Sequence, residues 1–183
     1  MRGVDELSLA GVRDLQLLTL GPQLRGSWNT RLGQDATQEV FALLRDIVSP
    51  NTVEEDARSL TIRNDSGRQV LVEFQSDPDI CIVELLPSGR RPRVSVEIKG
   101  GGDRSNVHNR LGEAEKSHQK AKQQGFFEFW TILRAKVSLE QARAESPTTT
   151  HFFDLDAIKD PATPEHRLFR ELVGSLIGMR IAE

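Results

Sequence analysis

The chain has 183 residues, a formal net charge of −3, one cysteine and no tyrosine. One domain of this length buries about 70% of its unfolded surface and needs no disulfide or metal to fold. The lone Cys81 excludes an intramolecular disulfide and a CxxC metal site, the lack of tyrosine excludes a tyrosine nucleophile, and the mildly acidic total excludes a chain that is basic throughout, though not a local basic patch.

The first eighteen residues carry acids and no continuous apolar core, so no signal peptide is expected, and no run reaches the ~18 apolar residues of a membrane span. A reducing cytoplasm fits. Leucines from Leu7 to Leu20 predict a short amphipathic helix over Glu6–Leu20, ending at Gly21-Pro22, and a polar turn region follows over Gly26–Gln34. Asp35 is a candidate N-cap for a second helix running to Val48, with Val40, Leu43, Leu44 and Ile47 at helical spacing; Pro50-Asn51 stops it. The period then changes to two. Strands are expected at Leu60–Arg63, Gln69–Gln75, Ile80–Leu86 and Val94–Lys99, separated by turn signals at Asn64–Gly67, Ser76–Asp79 and Pro87–Arg90. Gly100-Gly101-Gly102 ends the last of them. A polar helix from Val107 to Gln124, a dense apolar strand from Phe126 to Leu133, a short helix from Leu139 to Glu145, a strand from Thr148 to Leu155 and an amphipathic helix from Pro164 to Met179 complete the chain. The pattern is α/β, antiparallel early and with crossovers later. A single domain over 1–183 is expected: a helix and arm (1–34), a core (35–133) and a C-terminal strand and helix (134–183).

Two short stretches carry the chemistry. Pro78-Asp79 starts one strand, and Glu97-Ile98-Lys99 ends the next, eighteen positions on and across a turn. Hairpin pairing brings such positions together. Glu97 and Lys99, two apart, share a face of the strand, and Ile98 points away. Two carboxylates and the main-chain carbonyl of Ile98 suit a hard cation such as Mg²⁺, which takes oxygen ligands and keeps several waters. A lysine on the same face can orient a water or stabilise developing negative charge, as phosphodiester hydrolysis requires. The rival reading makes Asp79 a turn former after proline and Glu97 and Lys99 solvated strand residues; against it stands their place among Val94, Val96 and Ile98, at the end of a strand expected to be central.

Pro78, Asp79, Glu97 and Lys99, in this strand and turn context, resemble the motif of the PD-(D/E)xK nuclease superfamily in its ExK form. The stretch from Glu97 to Lys122 looks like the corresponding stretch of type II restriction endonucleases, closest to the XcyI group. The resemblance implies a restriction-endonuclease-like fold: a mixed central sheet, flanked by helices, with an antiparallel hairpin carrying the motif. It implies that Asp79 and Glu97 bind divalent metal, Mg²⁺ with Mn²⁺ as a substitute, and that Lys99 supports the nucleophilic water. Glu39, on the helix before the hairpin, is the candidate for a further acid near the metal. The implied activity is cleavage of double-stranded DNA at a palindromic, GC-rich site by a homodimer, in a prokaryotic cytoplasm and beside a cognate methyltransferase. The chain is shorter than a full-length member of that group.

The residues support a DNA partner on their own terms. From Arg90 to Lys122 nine Lys or Arg face four Asp or Glu, a net +5, against −8 for the remainder. Such a concentration of positive charge beside the metal motif would hold phosphates. Arg104, Ser105, Asn106, His108, Asn109 and Arg110 can bond phosphates or base edges, and Lys116 sits on the helix that follows. For Lys120 and Lys122 a solvated helix face is the simpler reading. Two rival functions share these residues: a branched-DNA resolvase or repair nuclease of the same fold, and a non-catalytic DNA-binding module. A nucleotide site is disfavoured, because the glycine triplet follows a lysine instead of preceding one.

Overall fold

The structure is a computed structural model that describes residues 35–103 and 106–181. The expected helix at Glu6–Leu20, Arg104 and Ser105 lie outside these residues. Helix α1 covers residues 35–48 and buries Ala36, Val40, Leu44, Ile47 and Val48, the i, i+4 stripe that the sequence shows. Pro50, in a 3₁₀ turn over Ser49–Asn51, ends it. Five strands follow: β1 (Thr52–Glu55), β2 (Ser59–Arg63), β3 (Gln69–Phe74), β4 (Ile80–Leu86) and β5 (Gly89–Lys99). Next come α2 (Val107–Gln123), β6 (Glu128–Leu133), α3 (Leu139–Glu145), β7 (His151–Asp154), α4 (Leu155–Lys159) and α5 (Pro164–Ile177).

All seven strands form one sheet in chain order, antiparallel from β1 to β5 and parallel across β5, β6 and β7. Parallel neighbours need a crossover, which α2 and α3 supply. The period-two pattern then splits the side chains between faces. Leu60, Ile62, Val70, Val72, Ile80, Ile82, Val94, Val96, Ile98, Trp130 and Ile132 pack against α1, α4 and α5 in the main core. Cys81, Val83 and Phe129 face the opposite way, against Ala121 of α2. The fold is the expected one: mixed α/β, with the motif on an antiparallel hairpin and helices on both faces. Among the described residues no helix is long and apolar enough to cross a membrane.

Several boundaries differ from expectation. Strand β1 carried no readable signal, because Val53, Glu54 and Glu55 of this edge strand are exposed and nothing selects alternation. Strand β5 begins five residues early, at Gly89. Its Pro92 pairs with Val83 where the register shifts, a bulge that tolerates a residue without an N–H. The expected strand from Thr148 to Leu155 is shorter, because Asp154 stops it. Asp154 accepts the N–H groups of Asp156 (2.9 Å) and Ala157 (3.1 Å) and so caps α4, a helix the pattern did not show.

Candidate active site at the end of β5

Strand β5 outruns β4: the last paired positions are Ile80 and Val96, which leaves Glu97 to Lys99 without a β4 partner. On the β6 side the Lys99 carbonyl accepts the N–H of Arg134 at 3.2 Å. Main-chain groups of successive strand residues alternate in direction, so the N–H and C=O of Ile98 point to the vacated β4 side. There the Ile98 N–H donates to Asp79 Oδ2 at 2.7 Å. The Asp79 carboxylate thus takes the place of the missing strand, beside the Ile98 carbonyl.

Glu97 and Lys99 project from the same face, toward α2. Glu97 is only 4% exposed, and Lys99 Nζ donates to its Oε2 at 2.9 Å. Burial and the neighbouring Glu97 charge push the Asp79 carboxyl up to about 6, against the bond from Ile98. Burial disfavours the Lys99 ammonium, but Glu97, Asp79 and Glu113 outweigh it, and the net shift is upward. Lys99 is therefore a cation flanked by acids, and Asp79 is a carboxyl poised between its two protonation states.

Three partners from outside the motif complete the surroundings. Ser117 of α2 donates toward Glu97 Oε1 at 2.6 Å and also contacts Asp77 Oδ1. Lys120, one turn on, donates to Asp77 Oδ2 at 3.0 Å. Ser117 and Lys120 hold Asp77 below the usual carboxylate range. Neither Asp77 nor Ser117 is among the residues the sequence singles out, and Lys120 departs from the solvated helix face expected for it; the sequence signals for the three are a position next to Pro78 and the 113, 117, 120 spacing on one helix face. Beneath them, His118 Nε2 lies 2.9 Å from Thr131 Oγ1, itself 2.9 Å from Thr149 Oγ1. Glu115 accepts from Thr148 Oγ1 at 2.6 Å and Ser146 Oγ at 3.2 Å. These buried polar groups fasten α2 and the loop before β7 to the sheet.

The structure thus unites Asp79, Glu97, Ile98 and Lys99. Glu39 lies on α1 with its carboxylate taken by cations: Arg134 Nη2 stands at 3.0 and 2.8 Å from its two oxygens, and Lys159 contacts Oε2. Arg134 also reaches the Gly100 carbonyl at 3.5 Å. Among the described residues no group of three or more His, Cys, Asp or Glu converges as a ready metal cage. The donor set here is two carboxylates and a main-chain carbonyl, all oxygen, which fits a hard divalent cation that retains water.

The candidate DNA contacts fall into separate positions. Asn106 and Asn109 are exposed at the start of α2, where Asn109 Nδ2 donates to Asn106 Oδ1 at 2.7 Å. His108 is exposed but contacts Glu145 of α3. Arg110 donates to the Gly101 carbonyl, and a Cβ on Gly101 would collide with its guanidinium, so the glycine makes room for that contact. Lys116 is exposed. One expectation is corrected. Arg90, Arg91 and Arg93 do not add positive charge at the motif. The backbone of Arg90 lies roughly 30 Å from that of Lys99 along β5 at the usual rise per residue, and the three arginines are taken up in pairs with Glu73 and the buried Glu84.

A family model described as XcyI restriction endonuclease matches residues 3–180. The chain is 46% identical over 165 residues to the type II restriction enzyme XcyI of Xanthomonas campestris pv. cyanopsidis, covering 89% of this chain and 50% of that protein. It is 39% identical over 186 residues to the type II restriction enzyme Cfr9I of Citrobacter freundii, covering 100% of this chain and 56% of that protein. The chain therefore spans about half the length of these curated relatives. No solved structure gives a significant match.

Proposed function

Since the chain belongs to the XcyI restriction endonuclease family, we propose that it carries the catalytic centre of a type II restriction endonuclease that hydrolyses phosphodiester bonds in double-stranded DNA. The observation that carries this reading is the meeting of Asp79 with Ile98 at the unpaired end of β5, flanked by the Glu97–Lys99 pair. Asp79, Glu97 and the Ile98 carbonyl are the groups that would hold Mg²⁺, with Mn²⁺ as a substitute. When bound, such an ion polarises a phosphoryl oxygen and lowers the pKa of a coordinated water. Lys99, kept cationic by its acids, is placed to orient the attacking water and to balance charge on the phosphate. Its short tether to Glu97 and partial burial hold it in one place, so little ordering remains to be done when DNA arrives. Glu39, the further acid proposed near the metal, is held by Arg134 and Lys159, and Arg134 also reaches the Gly100 carbonyl just past β5.

Arg104, Ser105, Asn106, His108, Asn109, Arg110 and Lys116 are the proposed DNA contacts, along the exit from β5 and the first turns of α2. A palindromic, GC-rich target, the expectation from the resemblance to the XcyI group, is part of the same proposal. A two-fold symmetric site is matched by a symmetric homodimer with one centre per strand. A cognate methyltransferase protecting host DNA, and a prokaryotic cytoplasm, belong to the same proposal.

The test is incubation of the purified protein with plasmid and phage DNA, in Mg²⁺ and in EDTA, beside Lys99→Ala. Discrete fragments that need Mg²⁺ and vanish in the variant are expected, and their ends give the target. A smear that vanishes in the variant would instead mark a repair-type nuclease. No cleavage of linear, supercoiled, methylated or four-way-junction DNA would overturn the enzyme reading and leave a DNA-binding module.

A further inference from the structure

Five side chains form an unbroken polar chain behind the motif. Lys99 Nζ donates to Glu97 Oε2 at 2.9 Å. The other oxygen of Glu97, Oε1, is 2.6 Å from Ser117 Oγ. The same hydroxyl contacts Asp77 Oδ1, and Asp77 Oδ2 accepts from Lys120 Nζ at 3.0 Å. The formal charges along the chain cancel, with Ser117 at the midpoint.

The midpoint is unusual for its setting. Ser117 is 8% exposed, in the middle of α2. A buried helical serine commonly turns its hydroxyl back to the carbonyl of the preceding turn; this one reaches across to two carboxylates on other elements. It has one proton for both, so each carboxylate depends on the lysine at its outer oxygen to offset the sharing. Glu97, almost fully buried, needs a partner on each oxygen. Lys99 serves one and Ser117 the other. The terminal torsion of a glutamate is broad, so with Oε1 unpartnered the plane of the carboxylate would be free to turn about its tether to Lys99. Asp79 has no such need, because the backbone of β5 holds it.

We propose that Ser117 is a positioning residue: its hydroxyl sets the carboxylate plane of Glu97 and ties it through Asp77 to the turn before β4, so that helix α2 fixes the geometry of one metal-binding carboxylate while the β5 backbone fixes the other. The inference rests on the metal-site reading above. Partners of this kind are worth about 10–100-fold in metal affinity.

The test is calorimetric titration of the DNA-free full chain with Mn²⁺, beside its melting temperature in EDTA and its cleavage kinetics. Ser117→Ala is expected to weaken Mn²⁺ binding by about 10–100-fold, to lower the melting temperature in EDTA modestly, because one buried oxygen of Glu97 loses its partner, and to lower kcat without raising KM for DNA. Ser117→Cys, which keeps the volume but donates weakly, is expected to lie between the two and stands in for Ser117→Ala should that variant not fold. Wild-type Mn²⁺ affinity in a folded variant overturns the inference. So does a loss of affinity that appears only where the variant is partly unfolded, which marks a merely structural serine. If the wild-type chain binds no Mn²⁺, or Glu97→Ala binds it as well as wild type, the metal-site reading fails first and takes this inference with it.

Discussion

Asp79 accepts the main-chain N–H of Ile98 at 2.7 Å, across the end of the hairpin where β4 has stopped and β5 continues. A side chain thereby completes a ladder that the backbone leaves open. The contact sets the first carboxylate of the motif beside the carbonyl between Glu97 and Lys99. Four positions that the sequence spreads over two strands become one site through this contact and the Glu97–Lys99 pair.

The pH dependence of metal binding follows. Burial and the Glu97 charge hold the Asp79 carboxyl up at about 6, and a ligand must be deprotonated. Mn²⁺ affinity is therefore expected to rise as pH passes upward through 6 and to level off above it. Without metal the sign reverses: the folded state binds the extra proton, so stability falls from about pH 4 to about pH 6, by on the order of 3 kcal/mol. Asp79→Asn should abolish both the affinity step and this loss. Calorimetry across pH 5–8 and denaturant unfolding in EDTA read them separately.

Lys99→Ala is expected to cost about 10²–10⁴ in kcat, the range for a group that assists proton transfer or charge balance. DNA affinity measured in Ca²⁺ should change little, because the proposed DNA contacts on α2 are untouched. Single-turnover cleavage and a binding titration on the same preparation separate the two. Equal losses in both would show that Lys99 serves binding alone.

His118 gives the opposite acid response to Asp79. Burial against Thr131 and Ser95 depresses it to about 4. The imidazole stays neutral in the fold while the unfolded chain takes up a proton. Stability is thus complete above pH 6.5 and is lost progressively as pH falls toward 4. His118→Gln should flatten this limb of the curve in EDTA, and Asp79→Asn should steepen it. Urea unfolding at half-unit pH steps checks both signs.

Glu84 separates stability from chemistry. It is 2% exposed and faces Arg68 at 2.7 Å, Arg93 at 3.3 Å and Arg91 at 3.8 Å. Glu84→Ala strands the half-buried Arg93, at a cost of about 2–3 kcal/mol, discounted from the fully buried case because the arginines reach water. The site lies at the other end of β5, so kcat at a temperature where the variant is folded should equal the wild-type value.

Much of this protein was legible without coordinates, for a physical reason. The alternation in Gln69–Phe74, the continuous apolar run at the start of Ile80–Leu86, the stripe in α1 and the turn at Asn64–Gly67 are each local: burial on one face leaves its period in the chain, and burial on both faces leaves an unbroken run. The motif was legible because Glu97 and Lys99 share a face of one strand, and Asp79 is separated from them by a single hairpin. The edge strand β1 and the helix after Asp154 were not, since an exposed edge selects no pattern and five residues hold too few turns to show one. Only the tertiary structure decided the rest. Which basic residues attend the site depends on the length of β5, which carries Arg90 away from Lys99. Which side chains support Glu97 depends on how α2 crosses back over the sheet, bringing Ser117 to a carboxylate twenty residues earlier. Contacts of that separation are set by packing, and no local period in the chain records them.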